Sequence, residues 1–181
     1  TLIPLPPKRQ RELFETCEIK WMQVNMENNV SSCVEELLNI IREDTHTSRA
    51  MVDLTLLVDS VKEGQKIANE LLSAEKDIKV TTTFVVKNTG KIYDDRRKKL
   101  SFWKGSPKIK ISTLQSFKGW EARLILINIT SFKFKKQKTL FYTGLTRLKK
   151  HPQGSFLTII CADKQLESFG KEIPGIKFLP N

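Results

Sequence analysis

The chain has 181 residues, of which 39% are hydrophobic and 28% charged, and its formal net charge is +11. This length supports one compact core, the composition is that of a globular domain, and no apolar run reaches the roughly 18 residues of a membrane helix. The basic excess is regional: residues 1–86 hold 10 Lys/Arg and 14 Asp/Glu (net −4), and residues 87–181 hold 21 and 6 (net +15). The second half therefore predicts either a surface that faces a polyanion or a solvated lysine-rich face.

Three scattered cysteines, Cys17, Cys33 and Cys161, form no CxxC pair. Cys33 and Cys161 lie in apolar patterns, which predicts buried reduced thiols and an intracellular, cytoplasmic location. The two histidines, His46 and His151, are isolated in the sequence. We therefore expect no metal site.

The first half of the chain begins with a segment rich in Pro and Arg, residues 1–18, which predicts a linker. We expect the domain to span residues 19–181 and the chain to be a fragment of a longer protein. Ser32 with Glu35, and Ser60 with Glu63, have the spacing of capping boxes at helix starts. Apolar periodicity and β-branched composition predict strands at 19–24, 54–58 and 79–86, and helices from 32 to 43 and from 60 to 73.

The second half of the chain continues the alternation of strands and helices. The patterns predict strands at 108–113, 122–129 and 155–162, a helix at 137–150 and a short helix at 164–169. Such alternation predicts a mostly parallel sheet with helices on both faces, in an α/β domain. Because ligands bind at the carboxyl ends of parallel strands, we expect the loops after Val58, after Thr113 and after the last strands to share one edge.

The stretch "STLQSFKGWE" places unusual polar groups in the connection that follows a predicted strand. Gly119 allows a sharp turn or a close approach to a ligand, and Glu121 can accept a hydrogen bond from a sugar hydroxyl or an amine. An ordinary turn with a capping acid is the alternative interpretation. Uncharged donors that suit phosphate contacts stand at Ser112, Thr113, Gln115 and Ser116.

The stretch "LFYTGLTRLKK" places Thr143 and Arg147 four residues apart, on one face of the predicted helix. An arginine there can offer its planar guanidinium to a phosphate as an arginine finger. A surface arginine that complements the helix dipole is the alternative interpretation.

The two stretches in this order resemble motifs V and VI of superfamily 1 helicases of the UvrD/Rep type. "ISTLQSFKGWEARLILINI" is similar to motif V, "LFYTGLTRLKK" is similar to motif VI, and the resemblance covers about Leu54 to Asp163. It implies the C-terminal, second RecA-like domain of an ATP-dependent helicase or translocase, with a three-layer α/β fold. The chain departs from the pattern at Gln115, where the family has His, at Trp120 and at Leu148, and it lacks an evident motif IV.

The resemblance also implies roles for single residues. Thr113 and Gln115 would contact the nucleic-acid backbone, with Ser112 and Ser116 beside them. Gly119 and Glu121 would face the nucleotide, Lys118 would support the loop or a phosphate, and Arg147 would be the arginine finger. Independently of the resemblance, a basic segment with interleaved aromatic residues makes Trp103 a candidate for stacking on single-stranded nucleic acid and Lys104 a candidate for its basic groove.

The sequence contains no GxxxxGK[ST] phosphate loop and no Asp-Glu pair after an apolar strand. In the family these parts belong to the first RecA-like domain, which would bind most of the ATP and Mg²⁺. We therefore expect that domain and single-stranded or partly duplex nucleic acid as partners, and no ATPase activity of this chain alone. A catalytically inactive, helicase-like binding or regulatory domain is the alternative.

Overall fold

The structure, a computed structural model, describes residues 17–43, 52–84, 106–131, 135–151 and 154–180; of residues 43 and 135–138 it describes only the backbone. None of the helices in these ranges is long and apolar enough to cross a membrane. Two short 3₁₀ helices, Met26–Asn28 and Lys164–Leu166, precede longer helices. The helices are α1 (Asn29–Glu43), α2 (Val61–Ala74), α3 (Lys135–Leu145) and α4 (Glu167–Glu172). The strands are β1 (Cys17–Gln23), β2 (Leu54–Val58), β3 (Val80–Thr82), β4 (Ile109–Thr113), β5 (Leu124–Ile129), β6 (Ser155–Cys161) and β7 (Lys177–Leu179).

The seven described strands form one sheet in the order β3-β4-β2-β5-β6-β1-β7. Every pairing between neighbouring strands is parallel. The registers Val58↔Thr113 and Val58↔Asn128 align the carboxyl ends of β4, β2 and β5. The predicted α/β fold with a parallel sheet is thus confirmed, and the ends of these three strands meet at one edge.

Both faces of the sheet are covered, because apolar side chains point alternately to its two sides. Leu54, Leu56 and Val58 of β2 belong to a cluster that includes residues of α1 and α2. Leu57, between them, belongs to a second cluster with Phe117 and with residues of α3. The domain therefore has three layers, with α1 and α2 on one face and the β4–β5 connection and α3 on the other.

Two predicted helix boundaries are wrong. Helix α1 begins at Asn29, directly after the Met26–Asn28 turn, so Ser32 lies inside the helix and does not cap it. Helix α3 ends at Leu145 rather than at residue 150, because the chain turns back and Leu148 pairs with Ala122 beside the sheet. By contrast, Ser60 accepts a hydrogen bond from the Glu63 backbone N–H (3.3 Å), which confirms the cap of α2.

The strand predictions differ from the structure mainly at the ends of the sheet. β1 begins at Cys17, two residues before the expected domain boundary. β3 is only three residues long and ends at Thr82, whereas the prediction extended to residues 85 and 86, outside the described residues. β7 was not predicted, because three residues, one exposed and two half-exposed, carry too little apolar periodicity.

Candidate functional site

The connection between β4 and β5 spans the full length of the strands. Because the two strands run parallel, the chain must return from the carboxyl end of β4 to the amino end of β5. At the carboxyl edge, the Leu114 backbone N–H donates to the Val58 carbonyl (3.0 Å). At the amino edge, Ala122 pairs with Leu148. Leu114 and Phe117 are buried in the second cluster and fix the connection to the sheet. Its apolar residues are thus anchors, and its polar residues remain at the surface.

The first half of the connection is a tight turn at the carboxyl edge. The Thr113 hydroxyl donates to Ser116 Oγ (3.0 Å) and accepts from the Ser116 backbone N–H (3.2 Å). Gln115 and Ser116 are exposed, and Thr113 is half-buried. Three of the four residues predicted to contact nucleic acid here therefore lie together and reach the surface.

Ser112 is the exception among them, because its residue surface is 0% exposed. Its hydroxyl lies 3.1 Å from Thr83 Oγ1 and donates to the Thr113 carbonyl (3.2 Å). The alternation of a strand points Ser112 and Thr113 to opposite faces. We therefore remove Ser112 from the predicted nucleic-acid contacts and assign it a structural role between β4 and residue 83.

A cavity of about 330 Å³ opens at this carboxyl edge. It lies where β2 and β5, which are neighbours, continue into helices on opposite faces of the sheet. This arrangement is the topological switch point at which open parallel sheets bind ligands. The cavity is lined by Asp59, Ser60, Val61, Thr113, Leu114, Gln115, Ser116, Ile129, Ser131, Leu140 and Phe141.

Asp59 is a residue of this cavity that the sequence analysis did not single out. Its Oδ2 accepts from the Thr130 backbone N–H (2.7 Å), the Thr130 hydroxyl (2.6 Å) and the Ser131 backbone N–H (3.3 Å). Its Oδ1 is buried and has no hydrogen-bond partner, and it is the only such side-chain atom in the part of the chain that the structure describes. The sequence does contain a signal for Asp59, because this acid stands directly between a buried strand and the capping residue Ser60.

The second half of the connection reaches a different cavity, of about 150 Å³, at the amino edge. Lys118, Gly119, Trp120 and Glu121 are exposed, and Gly119 has a φ of +88°, in the left-handed region that favours glycine. Trp120 and Glu121 line this cavity together with residues at the starts of strands and beyond α3: Val52, Asp53, Thr55, Lys110, Phe117, Ala122, Arg123, Lys149 and His151. The two halves of one short segment thus face separate cavities at opposite edges.

The amino-edge cavity is lined by three cationic side chains, Lys110, Arg123 and Lys149, and by two carboxylates, Asp53 and Glu121. Lys110 is buried, its ammonium donates to the Val52 carbonyl, and burial lowers its pKa, an effect that nearby Asp53 opposes. Arg123 is also buried; its Nε donates to the Gly154 carbonyl (2.7 Å) and its Nη1 lies 3.9 Å from Asp53 Oδ2. Within the described ranges, no group of three or more His, Cys, Asp or Glu side chains could hold a metal ion.

Arg147 lies close to the second half of the β4–β5 connection, but it is not on the predicted helix. It follows the end of α3 in a turn, so it does not share a helix face with Thr143. Its carbonyl accepts from the Ala122 backbone N–H (3.1 Å), which ties it to the segment just after Glu121. Its side chain folds back: Nε donates to the Thr143 carbonyl (3.1 Å) and Nη2 donates to the Thr146 hydroxyl (3.1 Å).

The structure therefore brings Arg147 and Glu121 to one edge, and Thr113, Gln115 and Ser116 to the other. Trp103 and Lys104, the two predicted stacking and basic contacts, lie outside the described residues.

The fold resembles C-terminal domains of helicases. The C-terminal domain of the DEAD-box protein Dbp5 superposes with a TM-score of 0.63 at 13% identity, over 91% of each chain. Domain 2 of the DEAD-box helicase Mss116p, bound to an RNA duplex, gives 0.59 at 15% identity, over 92% of this chain and 64% of that one. The C-terminal domain of a possible DNA helicase from Lactobacillus plantarum WCFS1 gives 0.50 at 11% identity, over 95% and 96%. The chain thus has the RecA-like fold of helicase C-terminal domains, although its sequence matches no known family and no curated protein.

Proposed function

We propose that this chain is the second RecA-like domain of an ATP-dependent helicase or translocase that acts on DNA or RNA. The observation that carries the proposal is the β4–β5 connection, whose two ends line separate cavities at opposite edges of the sheet. A motor domain needs such an element, because nucleotide and nucleic acid must influence one another through the protein. The superfamily 1, UvrD/Rep-type assignment within this proposal rests on the similarity of "STLQSFKGWE" and "LFYTGLTRLKK" to motifs V and VI.

On the nucleic-acid side, Thr113, Gln115 and Ser116 would contact the sugar-phosphate backbone. Hydroxyl and amide groups suit phosphate oxygens, and they position a strand without reading its sequence. The net charge of +15 on residues 87–181 would supply the long-range attraction for single-stranded or partly duplex nucleic acid. An intracellular location follows from this partner and belongs to the same proposal.

On the nucleotide side, Glu121 would accept from a ribose hydroxyl, and Arg147 would present its guanidinium to the γ-phosphate. Lys118 and Gly119 would support the loop at that contact. The amino-edge cavity, about 150 Å³, is smaller than the roughly 300 Å³ at which small-molecule sites begin, so a nucleotide bound there would need further contacts from another domain. This fits the proposal that a first RecA-like domain supplies the phosphate loop and holds most of the ATP and the Mg²⁺.

Motion would arise from the difference between open and closed arrangements of the two domains. Arg147 is held by Thr143 and Thr146 in its own turn, and the guanidinium would have to leave these partners to reach a phosphate. Because the same short segment carries Gln115 and Glu121, closure around the nucleotide would alter the grip on the strand. A ligand shifts such an equilibrium only through its different affinity for the two states.

Binding of fluorescent single-stranded oligonucleotides to the 181-residue chain tests the nucleic-acid half of the proposal. We expect affinity to fall steeply with NaCl, since phosphate contacts release counterions, and to fall about fivefold or more in Gln115→Ala/Ser116→Ala. Glu121→Gln, in the same connection but at the other edge, is the matched control and should lose no affinity. Binding that ignores salt, or an equal loss in the control, would contradict the proposal.

A catalytically inactive, helicase-like binding or regulatory domain is the second candidate. The engagement of the Arg147 side chain within its own turn favours this candidate, as does Gln115 in place of the family histidine. The two candidates agree on nucleic-acid binding and differ on ATP hydrolysis. ATPase activity in the presence of the domain that carries a phosphate loop therefore distinguishes them.

A further inference from the structure

The two oxygens of the Asp59 carboxylate differ in their hydrogen bonds. Oδ2 accepts three hydrogen bonds from Thr130 and Ser131 and so fixes the segment after β5. Oδ1 is buried without a partner. Buried polar atoms are almost always paired, and an unpaired one costs free energy, so the rare exceptions call for an explanation. A ligand with a hydrogen-bond donor is one such explanation, because Asp59 also lines the carboxyl-edge cavity.

The walls of this cavity restrict the kind of ligand. Val61, Leu114, Ile129, Leu140 and Phe141 provide an apolar lining on several sides. The volume of about 330 Å³ is at the lower end of small-molecule pockets, which span roughly 300–1,000 Å³. A small group with both apolar surface and polar atoms matches this lining.

The charge of Asp59 restricts the ligand further. A carboxylate is acceptor-only, so it repels a phosphate and requires an N–H or O–H donor. Among nucleobases, cytosine, adenine and guanine carry exocyclic amino groups, whereas uracil and thymine have a carbonyl oxygen at C4, where cytosine has its amino group. The ring N3–H of uracil is also a donor, but it lies between two carbonyl oxygens, which a carboxylate repels. The strand contacts proposed for Thr113, Gln115 and Ser116 lie on the same cavity and would deliver a base to it.

We propose that the carboxyl-edge cavity takes up one unstacked nucleobase that bears an exocyclic amino group, and that Asp59 Oδ1 accepts a hydrogen bond from this group. The inference rests on the proposed nucleic-acid-binding function and adds a base preference to it. The apolar lining would hold the faces of the base, and the hydroxyl and amide groups of residues 113–116 would hold the adjoining phosphates. The chain would thus discriminate among single strands by one amino group.

Anisotropy measurements with fluorescent dC12 and dU12 test the preference, because the two bases share the pyrimidine ring and differ only in the group at C4, amino or carbonyl, and in the proton at N3. At low salt we expect the chain to bind dC12 at least about tenfold more tightly than dU12, as a hydrogen bond to a charged acceptor warrants. Asp59→Asn should reduce the ratio to about one, since the side-chain amide can serve either base as donor or acceptor. Wild-type binding to both oligonucleotides with equal affinity would overturn the inference while leaving the proposed function standing.

Thr130→Val is the matched control, because it removes one donor to Oδ2 and leaves Oδ1 unchanged. It should lower the stability of the domain but keep the preference for dC12. If this variant loses the preference as fully as Asp59→Asn does, Asp59 acts only by anchoring the segment, and the inference is wrong. If the wild-type chain binds neither oligonucleotide at low salt, both the inference and the proposed function fail.

Discussion

Gly144 of α3 touches the β4–β5 connection so closely that no side chain fits between them. A Cβ at this position would lie 2.5 Å from Leu114 Cδ2 and 3.1 Å from Ile127 Cδ1. Gly144→Ala should therefore lower the free energy of unfolding by about 1 kcal/mol. Overpacking destabilises by about 1–3 kcal/mol, and the higher helix propensity of Ala offsets about 1 kcal/mol of this loss. Urea denaturation measures the change. Leu114→Ala combined with Gly144→Ala should destabilise by less than the sum of the two single changes, and strict additivity would contradict the contact.

The buried thiols give a prediction that depends on pH. Burial raises the pKa of Cys161 to about 12, against weaker lowering effects of hydrogen bonds with the Asp163 backbone and the Gln23 side chain, and burial raises the pKa of Cys33 as well. Because the thiolate is the reactive form, at pH 8 only half-buried Cys17 should react quickly with Ellman's reagent, and all three should react in urea. Three fast thiols in the folded chain would contradict the burial.

The same shifts fix the sign of a stability change. A raised thiol pKa means that the unfolded chain loses its protons first, so this contribution to stability is complete below the unfolded value of about 8.5. It is lost progressively as the pH rises from there toward 12.

The ion pair of Lys20 and Glu36 joins strand β1 to helix α1. The ammonium lies 2.7 Å from Glu36 Oε2 and 2.9 Å from Oε1, and Thr158 of β6 donates to Oε1 (3.2 Å). The Glu36 side chain is only 7% exposed. Lys20→Met would leave a nearly buried carboxylate with one hydroxyl partner, so we expect a loss of about 2 kcal/mol in urea denaturation, below the 3–5 typical of fully buried pairs.

Lys20→Met/Glu36→Gln is the control for this ion pair, because a neutral amide keeps the size of the side chain and its acceptor for Thr158. The double variant should be more stable than Lys20→Met alone. A double variant that is less stable would show that the charge of Glu36 is not what Lys20 compensates.

The central elements could be predicted from the sequence because their local signals agree with the tertiary packing. β2 and β5 are runs in which all but one residue is apolar, and α2 has a capping serine and an apolar face, so few other assignments fit. The start of α1 could not be predicted, because Asn29 pairs with Asn128, a residue 99 positions away. Propensity contains no information about such a contact.

The candidate site was predictable to a similar degree. The polar residues of the segment 113–121 predicted contacts with ligands. The structure adds that the two halves of this segment lie at opposite edges of the sheet. Arg147 was expected on a helix, because its spacing from Thr143 satisfies the 3.6-residue period, yet the pairing of Ala122 with Leu148 ends the helix first. Three donors beyond β5 bind Asp59 Oδ2 and thereby orient the carboxylate. No local sequence pattern reveals that this orientation leaves Oδ1 unpaired.

For the molecule as a whole, one connection carries the residues proposed for two tasks, nucleic-acid contact and nucleotide contact, to opposite edges of the sheet. The carboxyl edge offers uncharged donors and a cavity with apolar walls, and the amino edge offers cationic groups, Glu121 and Arg147. A domain needs such a separation if ATP hydrolysis at one edge is to alter the affinity for nucleic acid at the other. It also makes the two tasks separable by mutation.

The most direct test of the account is the ATPase rate of a protein in which this chain is joined to a domain with a phosphate loop, measured for wild type, Arg147→Ala and Gln115→Ala. Arg147→Ala should lower kcat by about 10³-fold, as expected for an arginine finger, while single-stranded nucleic acid still binds. Gln115→Ala should keep kcat and raise the nucleic-acid concentration needed for half-maximal stimulation. An ATPase rate that Arg147→Ala leaves unchanged would contradict the assignment of this domain to a motor.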